Sequence, residues 1–198
     1  MSFETFLALG LYSIVASVTP GPNNLMLLAS GVNFGIRRTV PHMLGIAIGF
    51  TAMVAIVGFG LGAVLDIVPG VMTGLRYLAL AYTVWLAWKL GTSGSLGTGQ
   101  SGARPMSFVS ACLFQWVNPK AWVMALTATA LYTTSQNYFI SVICVAAVFG
   151  LIGMPFIAIW AGFGVALRGF LAVPARLRIF NGVMALLLLA STVPFVFE

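Results

Sequence analysis

The chain has 198 residues, of which 61% are hydrophobic and 6% charged. A soluble domain carries roughly 25% charged residues, and nine basic and three acidic side chains are too few to cover a water-facing surface of this size. The mean hydropathy of +1.07 agrees, so the composition predicts an integral membrane protein whose apolar surface meets the lipid bilayer. The net charge of +6 is scattered at the ends of apolar runs, and nucleic-acid binding would need it gathered on one face.

A spanning helix takes about 20 apolar residues. A membrane β-barrel would need alternating strands instead, whereas residues 45–65 and 183–196 are continuously apolar. Helices are therefore expected, in six apolar segments: 3–34, 41–64, 70–90, 106–132, 138–167 and 174–196. The predicted fold is all-α, with six transmembrane helices and a single membrane domain. Glu4 is the only charge near the N-terminus, which does not read as a cleaved signal peptide.

The basic residues sort by loop. Arg37 and Arg38 follow the first segment, Lys89 and Arg104 flank the loop after the third, and Arg168, Arg176 and Arg178 follow the fifth. The positive-inside rule makes those three loops cytoplasmic and sets both termini outside. Glu4, Asp66 and Glu198 fall on the other side. Arg76 lies close to that side, where snorkelling from a helix end is the ordinary reading.

The Gly/Ser/Thr-rich loop, residues 92–104, divides the chain into halves of about 1–91 and 105–198. Three spans per half force the halves into opposite orientations, the geometry of an inverted repeat. Val18-Thr19-Pro20 and Val117-Asn118-Pro119 occupy corresponding places in the two halves. Ala55-Ile56-Val57-Gly58-Phe59-Gly60 is matched more loosely by Ala158-Ile159-Trp160 with Gly162-Phe163-Gly164.

Thr19-Pro20-Gly21-Pro22-Asn23-Asn24 and Asn118-Pro119-Lys120 interrupt the first and fourth segments. In each, a helix-capping residue precedes a proline suited to a first helical position. The residue before proline also avoids the helical region. Both segments therefore read as broken mid-membrane. Broken backbone is tolerated there only inside protein or along a wet cavity, and the N-terminus of a half-helix favours an anion such as a carboxylate. Two breaks meeting near the midplane would form a substrate site from Thr19, Pro20, Gly21, Pro22, Asn23, Asn24, Asn118, Pro119 and Lys120. The alternatives are proline kinks that shape packing and asparagines that only cap. Lys120 lies near the middle of its segment, where an unpaired ammonium is costly. A substrate carboxylate or the carbonyls of the breaks are candidate partners, and snorkelling is the alternative.

Other polar positions read more plainly. Asn33 is expected to cap the end of the first segment, and His42, beside Arg37 and Arg38, to be solvated at an interface. Tyr77, Tyr82, Trp85 and Trp88 suggest an aromatic belt or packing face, with a substrate path as the alternative. Gly45, Gly49, Gly58, Gly60 and Gly62 permit close helix packing, and glycine-rich faces leave room for a homodimer. Cys112 and Cys144 read as small core residues. One histidine and two separated cysteines make no metal site. The chain has no phosphate-binding loop, paired acid or activated nucleophile, so neither a cofactor nor an enzyme is expected. Secondary transport remains, against the alternative of a non-transporting membrane subunit whose breaks bind a partner helix.

The first break, followed by Asn33-Phe34-Gly35-Ile36-Arg37-Arg38, resembles the N-terminal motif of the LysE/RhtB amino-acid exporters, and Asn118-Pro119-Lys120-Ala121 resembles that family's second motif. Residues 81–89 are further similar to its branch exporting cysteine and O-acetylserine. The resemblance covers the whole chain. It implies export of small amino acids or their derivatives across a bacterial inner membrane, with coupling to the proton gradient.

Overall fold

The computed structural model describes residues 1–61, 70–92 and 104–192. Asp66, Gly62, Glu198, most of the central loop and the ends of the second and sixth segments lie outside the described residues. Among the described residues every regular element is helical: α1 (Phe3–Val18), α2 (Pro22–Phe34), α3 (Ile36–Ile56), α4 (Val71–Gly91), α5 (Phe108–Phe114), α6 (Pro119–Tyr132), α7 (Tyr138–Leu167) and α8 (Pro174–Ala190).

Both predicted breaks are present. α1 and α2 are bent by 53° at the first. A short 3₁₀ turn, Gln115–Val117, joins α5 to the second. Asn118 caps α6 through its side chain, with Pro119 in the first turn, as expected. The first break differs in register. Thr19 ends α1 with extended backbone (ψ 140°) and donates its hydroxyl to Ala16 O at 3.0 Å. Pro20 lies in the break, and α2 starts at Pro22 after an extended Gly21. Two prolines around a glycine hold three residues out of the helix, because each restricts the residue before it.

Pro41 and Pro155 stay inside continuous helices. The preceding residues, Val40 and Met154, carry no capping oxygen, so nothing competes with the helix's own hydrogen-bond ladder. Arg37 and Arg38 lie in the first turn of α3 rather than in a loop. The turn before it is made by Gly35, whose φ of 78° suits glycine. α3 ends in a π-helical turn, Val57–Leu61.

The long helices α3 and α7 pack on each other. Each also packs on the first piece of the other half's broken segment, α3 on α5 and α7 on α1, while α4 packs on α8. Gly45 and Gly49 set the α3–α5 approach: a β-carbon at Gly45 would strike Phe108 O, and one at Gly49 would lie 2.6 Å from Cys112 Cα. The tightest crossing joins α2 to α7, where β-carbons at Gly31 and Gly164 would meet the carbonyl oxygens of Ala161 and Leu28. Gly60 has open space around it and a φ of 122°, so it shapes the π-helical turn rather than a packing face. The main core gathers Leu9, Met53, Trp122, Ala125, Val145 and Phe149 from α1, α3, α6 and α7. Cys112 and Cys144 are free and half-buried.

α3 with its π-helical extension, and α7 with the turn before it, are each long and apolar enough to cross a membrane, and the bent α1–α2 pair passes the same test as one span. Leu11 is 63% exposed, Leu151 77% and Leu186 67%. Such a surface suits lipid and not water.

Candidate functional site

The two breaks face one shared interior cavity of about 50 Å³. Gly21, Asn23 and Asn24 line it from the first break, and Asn118 and Lys120 from the second. Phe50 of α3 and Phe149 of α7 close it with apolar walls. Thr19, Pro20, Pro22 and Pro119 do not line it. They shape the breaks, and Thr19 and Pro20 are exposed.

Lys120 reaches across from α6 to the end of α1. Its Nζ donates to Thr19 O at 2.6 Å and to Thr19 Oγ1 at 2.8 Å, with Pro20 O at 3.5 Å. Those oxygens stand at the negative end of the α1 dipole, where a cation is favoured. The break carbonyls are thus the partners of Lys120, one of the two expectations. A β-carbon on Gly21 would lie 2.6 Å from Lys120 Cδ and 3.3 Å from its Nζ, so the glycine opens the passage for the lysine stem.

The three asparagines do different work. Asn24 Nδ2 donates to Ser17 O at 2.8 Å and Thr19 O at 2.9 Å, satisfying carbonyls that α1 leaves without helical partners. Asn118 Oδ1 accepts from Lys120 N at 3.2 Å, and its carbonyl accepts from Ala121 N at 3.0 Å and Trp122 N at 3.3 Å. The first turn of α6 is therefore largely satisfied by Asn118. α2 has no side-chain cap, so the anion-favouring helix start lies on the Gly21 side.

Asn23 pairs with a residue that the sequence did not single out. Its Nδ2 donates to Gln115 Oε1 at 2.8 Å, and Gln115 Nε2 donates back to Asn23 Oδ1 at 3.3 Å. Gln115 Nε2 also donates to Ala111 O at 2.8 Å, and the residue is fully buried. A glutamine one turn before Asn118 was the available signal, since a buried amide needs partners.

A second cavity, of about 500 Å³, is lined by other residues of α2 and α5. Met26, Ala29, Ser30 and Asn33 of α2 face Tyr82, Trp85 and Lys89 of α4 across it, with Arg104, Ser107 and Ser110 leading into α5. Tyr82 and Trp85 thus line a cavity, while Tyr77 and Trp88 are each 66% exposed, consistent with a belt. Two further expectations are corrected here. Asn33 is not an end cap: it lies within α2, where its Nδ2 donates to Ala29 O at 2.8 Å and to Asn181 Oδ1 of α8 at 3.2 Å. His42 is not solvated: it is 1% exposed and lines the larger cavity. The register of α3 turns it inward, away from the exposed Arg37 and Arg38.

A family model described as LysE type translocator matches residues 14–198. The chain is 33% identical over 146 residues to a cysteine/O-acetylserine efflux protein of Escherichia coli (strain K12), covering 72% of this chain and 73% of the relative. The protein of that name from Shigella flexneri gives the same values. That from Escherichia coli O1:K1 is 32% identical over the same shares. No solved structure matches.

Proposed function

This chain belongs to the LysE type translocator family, and on that premise we propose that it exports small amino acids or their derivatives, O-acetylserine and cysteine among the candidates, across a bacterial inner membrane. In this reading the chain makes six spans as two inverted halves, residues 1–91 and 105–198. The side on which most of its basic residues gather, at helix ends and in the loops after the first, third and fifth segments, faces the cytoplasm. One half rocks against the other to give alternating access.

The observation that carries the reading is Lys120. A residue of the second break is hydrogen-bonded to the first, and both breaks share a cavity. A break that bound a partner helix would instead turn its polar groups outward. The substrate carboxylate exchanges places with Thr19 O and Thr19 Oγ1 at the Lys120 ammonium, so that a bond between two opposite charges replaces bonds from the ammonium to neutral oxygens. The start of α2, at Gly21, Pro22 and Asn23, supplies a second attraction. Asn24 and Asn118 keep the two broken ends satisfied while this happens.

At about 50 Å³ the site has no room for a cysteine-sized solute, whereas the larger cavity does. In this reading the conformation is one open toward Lys89 and Arg104 and closed at the break, and the Asn23–Gln115 pair is the barrier assigned between them. Substrate enters from the larger cavity, parts the pair and seats at Lys120. Reorientation of the halves exposes it to the other side.

Extracellular amino-acid profiling tests the reading. Cells expressing the chain are loaded with dipeptides and compared with cells expressing Lys120→Ala and Asn118→Ala at equal membrane abundance. Selective accumulation of one or a few amino acids, strongly reduced in both variants, is the expected result. Normal efflux from both variants overturns the site, and no efflux from the parent chain overturns the exporter.

A further inference from the structure

His42 is the buried polar group that the break site leaves unused. Its Nδ1 and Nε2 have no hydrogen-bond partner among the described residues, and its side chain lines the 500 Å³ cavity. Two buried nitrogens without partners carry the full desolvation cost of both. Packing does not demand this, because a leucine would fill similar volume without that cost. The groups around the same cavity are also ordered by chemistry. Lys89 and Arg104 put cationic charge on its wall, Tyr82 and Trp85 present aromatic rings, and Ser30, Ser107 and Ser110 present hydroxyls.

We propose that this cavity is a second substrate site, an intake site distinct from the break, in which His42 recognises a zwitterionic amino acid or its O-acyl derivative. A neutral imidazole carries one donor and one acceptor. By turning one of its buried nitrogens into the cavity it can accept from the substrate ammonium, while the carboxylate of the same small molecule goes to the cations on the wall. Lys89, which lies over the Trp85 ring at 5.1 Å, and Arg104 draw the carboxylate in. The amine alone, or an ester lacking the carboxylate, loses half of this match. The inference rests on the exporter reading for its substrate class, but it assigns a place and a residue to a step before the break is reached.

Equilibrium binding of radiolabelled O-acetyl-L-serine and L-cysteine to the purified full chain tests it, alongside efflux from cells. In His42→Ala, Kd is expected to rise at least fivefold, and His42→Gln, which keeps a donor and an acceptor, is expected to stay within about twofold of the parent. Lys120→Ala is expected to lose efflux yet keep binding, because its site is closed in this conformation. The methyl esters are expected not to compete. Should His42→Ala fail to fold, Ser110→Leu, which narrows the cavity from α5, is expected to give the same loss. Unchanged binding in His42→Ala or, failing that, Ser110→Leu overturns the intake site while parental efflux leaves the exporter reading standing. Equal loss in His42→Ala and Lys120→Ala overturns it too, since one site then serves both. Efflux of neither amino acid by the parent chain removes the exporter reading separately.

Discussion

A β-carbon on Gly21 would stand 2.6 Å from Cδ of Lys120, so the smallest residue of the first break and the only cation of the second occupy one space. The lysine stem is flexible, and a methyl group there moves it rather than unfolding the chain. Gly21→Ala is therefore expected to reach the membrane at parental abundance and to lose most of its efflux. Quantitative immunoblotting beside an efflux assay checks this. Parental efflux would mean that the position of Lys120 does not matter.

Asn118 separates capping from charge. Asp and Ser both cap a helix well, but Asp puts a negative charge into the cavity that Lys120 also lines, where it competes with a substrate carboxylate. Asn118→Ser is expected to keep at least half of the efflux, and Asn118→Asp to lose it, with similar thermal stability in detergent. Equal efflux from the two would leave Asn118 with capping alone.

Asn23 and Gln115 satisfy one another. Replacing Asn23 by Leu leaves the buried Gln115 amide short of a partner, at a cost of about 1–3 kcal/mol, and replacing Gln115 by Leu leaves the half-buried Asn23 amide without one. Replacing both removes the pair together, so the double variant is expected to be destabilised by less than the sum of the singles. Melting temperatures of the four proteins in one detergent give the coupling. Strict additivity would mean that the pair contributes nothing as a pair.

The α2–α7 crossing admits no side chain. Gly31→Val and Gly164→Val each drive carbon into a backbone carbonyl of the facing helix. Overpacking costs typically ~1–3 kcal/mol, and backbone atoms have less freedom to yield than side chains do. Both variants are expected to lose the monodisperse peak in size-exclusion chromatography. Gly162→Ala, where nothing lies within 4 Å, is expected to keep it.

Much of this was legible in the sequence because a bilayer leaves few choices. The segment 138–167 coincides with α7, and Asn118-Pro119 fixed a helix start to the residue, because capping oxygen and locked proline agree there. Thr19-Pro20 carried the same signal and gave a different outcome, since Gly21 and Pro22 moved the restart two residues on. Lys120 was readable as a residue in need of a partner, and the carbonyls of the breaks were among the partners named for it. His42 and Gln115 were not readable in this way. Whether a polar residue faces lipid, water or a neighbour depends on its angular position about the helix, and an all-round apolar helix gives that angle no amphipathic mark. The packing roles of Gly31 and Gly164 were hidden for a related reason: only the partner's backbone tells a packing glycine from one with open space beside it.

The order of the halves along the chain carries a consequence for biosynthesis. At 1.5 Å per residue, α6 extends about 21 Å and α5 still less, against a hydrocarbon core of about 30 Å. Neither piece is long enough to cross alone, so in the six-span reading residues 108–132 enter the bilayer as one unit, with Lys120 inside it. Thr19 and Pro20 have left the ribosome by then, about a hundred residues earlier. The ammonium thus arrives after its acceptors have been made, and a circularly permuted chain that begins at the second half would insert the charge before any oxygen existed to receive it.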